Sequence, residues 1–254
     1  MKIIVFHSII CLFFLLLGSS CTKNQAETTI QTNANENVAL NKNKIESNED
    51  DTAQKMLYYA ALGDSYTLGT GISEEESFPN QLQTSLAVQL NTRINLEILA
   101  VNGWRTDNLL SNFQELDRDS YDLITLLIGV NNQFQGLDYE KFTMEFSELV
   151  EHSINLANNK PERVILISIP DYTYSSLGSV YASDEDSSEI DKCNGFIATI
   201  AEQTGCQFAD FTDISRKGLE KPEYIAPDGL HLSALAYEEF VSRIQPMAYS
   251  ELAD

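Results

Sequence analysis

The sequence predicts a doubly wound α/β fold: three layers (α/β/α) built around a five-stranded, mainly parallel sheet. Two observations carry this. From Met56 onward, short runs of β-forming apolar residues alternate with amphipathic stretches of helical length, the pattern that strand–helix–strand units produce. Two of the runs, residues 123–128 and 164–167, are apolar almost without interruption, as strands covered on both faces should be. About 200 residues suit one domain of this kind, and no internal repeat or second domain is visible.

Strands are expected at residues 57–62, 96–101, 123–128, 164–169 and 207–211, and helices at 79–90, 107–116, 139–158, 188–204 and 234–247. The first strand runs into Gly63-Asp64-Ser65, the second into Asn102-Gly103-Trp104 and the third into Gly129-Val130-Asn131-Asn132. The helix at 139–158 shows its period most clearly. Phe142, Phe146, Leu149, Val150 and Ala157 share one face, while Glu140, Glu148, Glu151 and His152 lie off it, so the stripe reads as core. Ser233 stands where it would cap the last helix.

The first 55 residues read differently. Met1 and Lys2 precede an apolar run over residues 3–17, broken by His7 and Ser8 and closed by Gly18-Ser19-Ser20. Fifteen residues fall short of the ~20 that a membrane span needs, and the basic start with a small-residue exit describes a secretory signal over residues 1–20. Leu17-Gly18-Ser19-Ser20-Cys21 resembles a bacterial lipoprotein signal, although Gly18 stands where an aliphatic residue is usual. The resemblance implies lipidation of Cys21 and an exported protein held in the cell envelope. Residues 22–55 contain no aromatic residue, Gly or Pro. Their few apolar residues follow no sustained period, so residues 21–55 are expected to be a disordered tether, with an N-terminal helix packed on the domain as the alternative. The domain itself is assigned to residues 56–254.

Composition excludes some partners. Lys plus Arg number 16 against 38 Asp plus Glu, a net charge of −22. Such a body repels phosphate backbones and anionic headgroups at long range, so nucleic acid is not an expected partner, and contact with a membrane is expected only through the N-terminal lipid. No Cys-x-x-Cys pair or other metal-ligand spacing occurs, and nothing implies a metal or cofactor. Cys193 lies within the helix at 188–204, about 17 Å along the axis from its end, and Cys206 begins the following strand. Bridged cysteines need Cα atoms within about 7 Å, so both thiols are expected free.

In doubly wound sheets, ligands bind outside the carboxyl ends of the strands where the strand order reverses. The turns named above carry the small and polar groups that acyl transfer requires. A serine nucleophile needs a base that titrates near neutral pH, usually histidine. Of the three histidines, His7 falls in the signal, His152 lies on a helix away from its apolar face, and His231 stands in a turn. Asp228, three residues before His231, is close enough to fold back and orient the imidazole. If the strand order is 2-1-3-4-5, Gly103 and Asn131 converge on Ser65. Two backbone N–H groups, of Ser65 and Gly103, and the Asn131 amide would then face a developing oxyanion.

This arrangement resembles the SGNH hydrolases, also called GDSL-type esterases and lipases, over residues 59–246. Gly63-Asp64-Ser65-Tyr66, Gly103, Gly129-x-Asn131 and Asp228-Gly229-Leu230-His231-Leu232-Ser233 stand in the family's order. The resemblance implies a flavodoxin-like sheet and a carboxylic-ester hydrolase. Ser65 would be nucleophile, His231 general base and acid, Asp228 the orienting carboxylate, and Ser65, Gly103 and Asn131 the oxyanion donors. Asn132 departs from the pattern, since many members have Asp there, and this bears on the contacts that support the loop. The chain also lacks the Gly-x-Ser-x-Gly elbow of α/β-hydrolases.

Trp104 and Arg105 either line an acyl or sugar pocket or pack at the domain rim. The connection over residues 170–187 is long, and its Tyr172, Tyr174 and Tyr181 offer stacking surface, which suits either a binding loop or a solvated insertion. Asp64 is expected to brace the Ser65 turn. Short acyl groups on a glycan or a small ester are the expected substrates. Three alternatives remain: a lysophospholipase or thioesterase-type acyl hydrolase, transfer of the acyl group to another alcohol, and a silent tethered binding module.

Overall fold

The computed structural model describes residues 56–253. The signal, Cys21 and the tether over residues 21–55 therefore lie outside the described residues. In chain order the elements are β1 (Met56–Gly63), α1 (Ser65–Leu68), α2 (Phe78–Leu90), β2 (Arg93–Ala100), α3 (Thr106–Asn112) and β3 (Leu123–Leu127). They continue with α4 (Val130–Phe134), α5 (Tyr139–Leu156), β4 (Val164–Ile167), α6 (Gly178–Tyr181) and α7 (Asp186–Thr204). The last are β5 (Gln207–Ala209), α8 (Thr212–Ser215) and α9 (Ala234–Leu252).

The sheet has the order β2-β1-β3-β4-β5, and every pairing in it is parallel. The strand order expected above is therefore present, and the sheet is parallel throughout rather than mainly so. The chain starts in β1, steps outward to β2, then crosses back to β3 on the other side. The reversal lies at the carboxyl ends of β1 and β3, where the loops carrying Ser65 and Asn131 begin.

Helices cover both faces. Phe78 of α2 packs its ring against Tyr237 and edge-on against Phe240 of α9, so these two helices close one side. On the other, Phe196 of α7 packs edge-on against Phe142 and Phe146 of α5. All five residues of the predicted α5 stripe, Phe142, Phe146, Leu149, Val150 and Ala157, are buried. Glu140, Glu148, Glu151 and His152 are exposed.

Several boundaries differ from those expected, each for a physical reason. Strand β2 begins at Arg93, not residue 96, and pairs over its whole length with β1. It is an edge strand with Arg93 and Asn95 exposed, so its first half lacks a continuous apolar run. Strands β4 and β5 end early because side chains replace the ladder. Asn194 Oδ1 accepts from Ile169 N at 2.7 Å, and Ser168 Oγ accepts from Phe211 N at 3.0 Å. Helix α9 continues past Pro246 to Leu252. A proline within a helix costs about 3 kcal/mol, and burial of Ala248 and Leu252 beyond it offsets that. Cys193 and Cys206 are free, as expected, and both are buried.

The connection over residues 170–187 is folded onto the domain. Asp171 has a fully buried carboxylate. It accepts from Thr173 N at 3.1 Å and from Arg216 Nε at 2.9 Å. Backbone bonding then ties the segment to the final turn, since Leu177 N donates to Gly229 O at 2.7 Å.

Candidate active site

The two short helices α1 and α4 were not expected from periodicity, because four or five residues carry none. They place the two polar groups that follow β1 and β3. Helix α1 begins at Ser65, with Asp64 as its N-cap: Asp64 Oδ1 accepts from Tyr66 N at 3.0 Å. Gly129 precedes α4 with a φ of +127°, a conformation that glycine alone adopts without strain. The turn so formed brings Asn131 back over the end of β1.

A cavity of about 250 Å³ opens there. Ser65, Gly103, Asn131 and His231 line it, together with Tyr66, Thr70, Asn102, Val130, Phe134, Tyr172 and Leu230. Ser65 is 6% exposed and His231 9%, so both are nearly enclosed yet reach the cavity. Five stretches of chain far apart in sequence meet at this rim.

The final turn is closely organised. Asp228 Oδ2 lies 2.6 Å from His231 Nδ1, and Asp228 Oδ1 accepts from Leu230 N at 2.9 Å and His231 N at 3.0 Å. Burial alone would raise the Asp228 pKa. The two backbone N–H groups and the imidazole outweigh it and hold the carboxyl below its ordinary range. With the carboxylate on Nδ1, the proton sits there and Nε2 is left as the acceptor. The His231 ring is backed by that of Tyr66, with centroids 4.9 Å apart. Behind it, Tyr237 Oη donates to the Tyr66 carbonyl at 2.7 Å. No hydrogen bond joins Ser65 Oγ to the imidazole among the described residues; such contacts often tighten only when substrate is bound.

The side of the cavity lined by Gly103 and Asn131 has its own geometry. Gly103 has a φ of +79° and is exposed, and a Cβ built there would meet nothing within 4 Å. Its glycine is required by backbone conformation, and the residue opens onto the cavity. Asn131 Nδ2 donates to the Trp104 carbonyl at 3.0 Å and makes a longer, 3.4 Å contact to Asp64 Oδ2. The first bond anchors the amide; the second is weak enough to exchange for a stronger acceptor.

Asp64 is fully buried, and burial pushes its carboxyl up to about 7, against the lowering effect of Tyr66 N–H and the Asn131 amide. A carboxyl raised by folding contributes most to stability below its unfolded value, near 4, and that contribution is lost as pH rises through about 7. Asp64→Asn is therefore expected to flatten the decline in Tm between about pH 4 and 7 relative to the parent chain. Parallel melting curves for the two proteins across that window check it, and identical slopes would contradict it.

Of the expected substrate contacts, only Tyr172 lines the cavity. The Arg105 guanidinium is occupied by Asp107, 3.1 Å away, and by Gln135 Oε1 at 2.9 Å. Trp104 is partly buried against the core, and Tyr174 lies beneath Arg216 instead. Sequence reasoning missed Phe134, half exposed and edge-on to Tyr172 at 5.3 Å. It also missed Gly71, where a Cβ would come within 2.9 Å of Asp228 Oδ2. Only the pair of glycines flanking Thr70 hinted at a tight turn there. Ser233 does cap α9, accepting from Ala236 N at 3.3 Å. Among the described residues, no group of three or more His, Cys, Asp or Glu side chains is placed to hold a metal ion.

Known proteins share this fold. The chain is similar in structure to TesA, with a TM-score of 0.60 and 15% identity, covering 76% of this chain and 99% of that one. It is similar to Axe2, an acetylxylan esterase from Geobacillus stearothermophilus, with a TM-score of 0.58 and 16% identity over 78% and 94% of the two chains. A lipase/acylhydrolase from Enterococcus faecalis gives a TM-score of 0.58 at 17% identity, over 75% and 96%. No curated protein matches the chain in sequence. The match that settles kinship is to a sequence family and spans residues 61–239, from within β1 to within α9. On that match, and with a parallel five-stranded α/β/α fold to accompany it, the chain belongs to the GDSL-like lipase/acylhydrolase family, the SGNH hydrolases.

Proposed function

We propose that the protein is an exported serine esterase that cleaves carboxylic esters through an acyl-enzyme on Ser65. The observation that carries this reading is the Asp228–His231 pair at 2.6 Å opening onto the cavity that Ser65, Gly103 and Asn131 also line. In this mechanism His231 Nε2 takes the Ser65 proton as Oγ attacks the ester carbonyl. Asp228 stabilises the imidazolium, and the proton passes to the leaving alcohol. The Ser65 and Gly103 N–H groups and the Asn131 amide receive the oxyanion, each such donor contributing about 2.7–4 kcal/mol. Water activated by His231 then releases the acid.

Short acyl groups on a glycan or small ester are the proposed substrates. A cavity of about 250 Å³ supports this, being smaller than the ~300–1,000 Å³ typical of drug-sized ligands. The fold is also that of Axe2, an acetylxylan esterase. One observation favours a second reading, a thioesterase or lysophospholipase-type hydrolase: Val130, Phe134, Tyr172 and Leu230 give the cavity an apolar flank. The N-terminal sequence supports attachment to a bacterial membrane through a lipid on Cys21, with residues 21–55 as tether.

A panel of p-nitrophenyl esters from C2 to C8, run beside an acetylated polysaccharide, tests the substrate. Fastest turnover at C2 with acetate release from the polymer is expected. Much faster C8 cleavage would select the second reading. An added alcohol acceptor reports any acyl transfer, and loss of palmitate labelling in Cys21→Ala tests the anchor.

A further inference from the structure

The motif residue that departs from the family pattern, Asn132, is 2% exposed, and both polar atoms of its side chain are bonded. Its Oδ1 accepts from Thr106 N at 3.0 Å, and its Nδ2 donates to Thr106 Oγ1 at 2.7 Å. Thr106 Oγ1 in turn donates to Glu145 Oε2 at 2.5 Å. The direction of every bond follows from the first. A backbone N–H can only donate, so the atom facing it is the amide oxygen and the atom facing the hydroxyl is the amide nitrogen. That nitrogen occupies a lone pair of Thr106 Oγ1, and the hydroxyl proton goes to the carboxylate. The other oxygen of Glu145 is held by Lys141 Nζ, 3.4 Å away.

The placement of this chain of bonds gives it a consequence for the reaction. Asn132 follows Asn131 on α4, and Thr106 lies three residues after Gly103. The relay therefore ties the two loops that carry the side-chain and main-chain oxyanion donors. A second tie, Asn131 Nδ2 to the Trp104 carbonyl, crosses the same gap. We propose that Asn132, Thr106 and Glu145 form a one-directional hydrogen-bond relay that sets the separation of Gly103 from Asn131, with the amide of Asn132 and the carboxylate of Glu145 a matched pair. The proposal rests on the esterase reading for its kinetic consequence; the pairing itself does not. All three are positioning residues, acting through the donors rather than on substrate.

Asn132→Asp breaks the match. The second oxygen of the introduced carboxylate would face Thr106 Oγ1 as another acceptor, and one hydroxyl proton cannot serve two carboxylates. Glu145→Gln restores it, because the new amide donates to Thr106 Oγ1 and frees the hydroxyl proton for the carboxylate on α4. The test is the full cycle of parent, N132D, E145Q and N132D/E145Q, read by kcat and KM on a p-nitrophenyl ester, by fluorophosphonate labelling to count active sites, and by Tm. N132D is expected to lower kcat per labelled site about tenfold to a hundredfold with little change in KM, since misplacing a donor by about 1 Å costs up to that much. N132D/E145Q is expected to recover most of kcat and of the lost Tm.

A merely structural role would move Tm but leave kcat per labelled site unchanged, and that result overturns the positioning claim. A double variant as slow and as unstable as N132D overturns the pairing. If N132D alone does not fold, folding of the double variant is the same rescue. If neither folds, Thr106→Ser, which keeps the hydroxyl, is expected to be faster than Thr106→Val, and equal rates count against the relay. Should the parent neither label nor hydrolyse esters, the esterase reading fails while the Tm cycle still decides the pairing.

Discussion

Ser65→Ala is expected to lower kcat for ester hydrolysis by about 10⁶-fold and to abolish fluorophosphonate labelling, leaving the fold and substrate affinity intact. The size follows from the nucleophile and its base acting as one unit, so that removing either costs nearly the whole covalent route. The fold is spared because the turn does not depend on Oγ. Asp64 caps Tyr66 N, and the Ser65 carbonyl accepts from Gly69 N and Thr70 N, bonds that alanine keeps. Active-site labelling, pre-steady-state release of p-nitrophenol and substrate binding to the variant together separate an enzyme from a tethered binding module. Equal labelling of parent and variant would place the nucleophile elsewhere, and a parent that binds esters without labelling would make the protein a binder.

Asp228→Asn is the second large effect, a fall in kcat of about 10⁴-fold with binding retained. The asparagine Oδ1 still accepts from Leu230 N and His231 N, so the turn persists. Its amide nitrogen, however, replaces the acceptor now facing His231 Nδ1 at 2.6 Å. The imidazole then keeps its proton on Nε2 and cannot receive one from Ser65. The sign of the pH effect follows from the lowered Asp228 pKa. Its contribution to stability is complete above the unfolded carboxylate value and is lost as pH falls through the lower, folded one. Asp228→Asn is therefore expected to lose Tm relative to the parent near neutrality and to approach it in acid. Activity within tenfold of the parent, measured with the same ester, would remove Asp228 from the proposed mechanism.

Much of the fold was legible in the sequence because its signals are local. Strands β3 and β4 are buried on both faces, which forces continuous apolar runs, and α5 buries one face, which forces a 3.6-residue period. The start of β2 was not legible, since an edge strand with one solvated face needs no such run. The candidate site was legible where one turn contains its chemistry. Gly63-Asp64-Ser65 caps its own helix, and Asp228 reaches His231 within three residues.

Contacts between distant segments were not legible. Glu145 reaches Thr106 across 39 positions and Gln135 reaches Arg105 across 30; no composition or spacing signals either. Trp104, Arg105 and Tyr174 have the chemistry of substrate contacts, but side-chain direction depends on what packs beside them.

By itself the sequence determined the layer order, the family and the polar residues gathered at the carboxyl ends of the strands, because burial periodicity and turn chemistry act over a few residues. The tertiary structure alone decided which aromatic residues face the cavity and which partner satisfies each buried donor. Hydrogen bonding inside a protein is an accounting between elements brought together by packing, and the account closes only when all of them are in place.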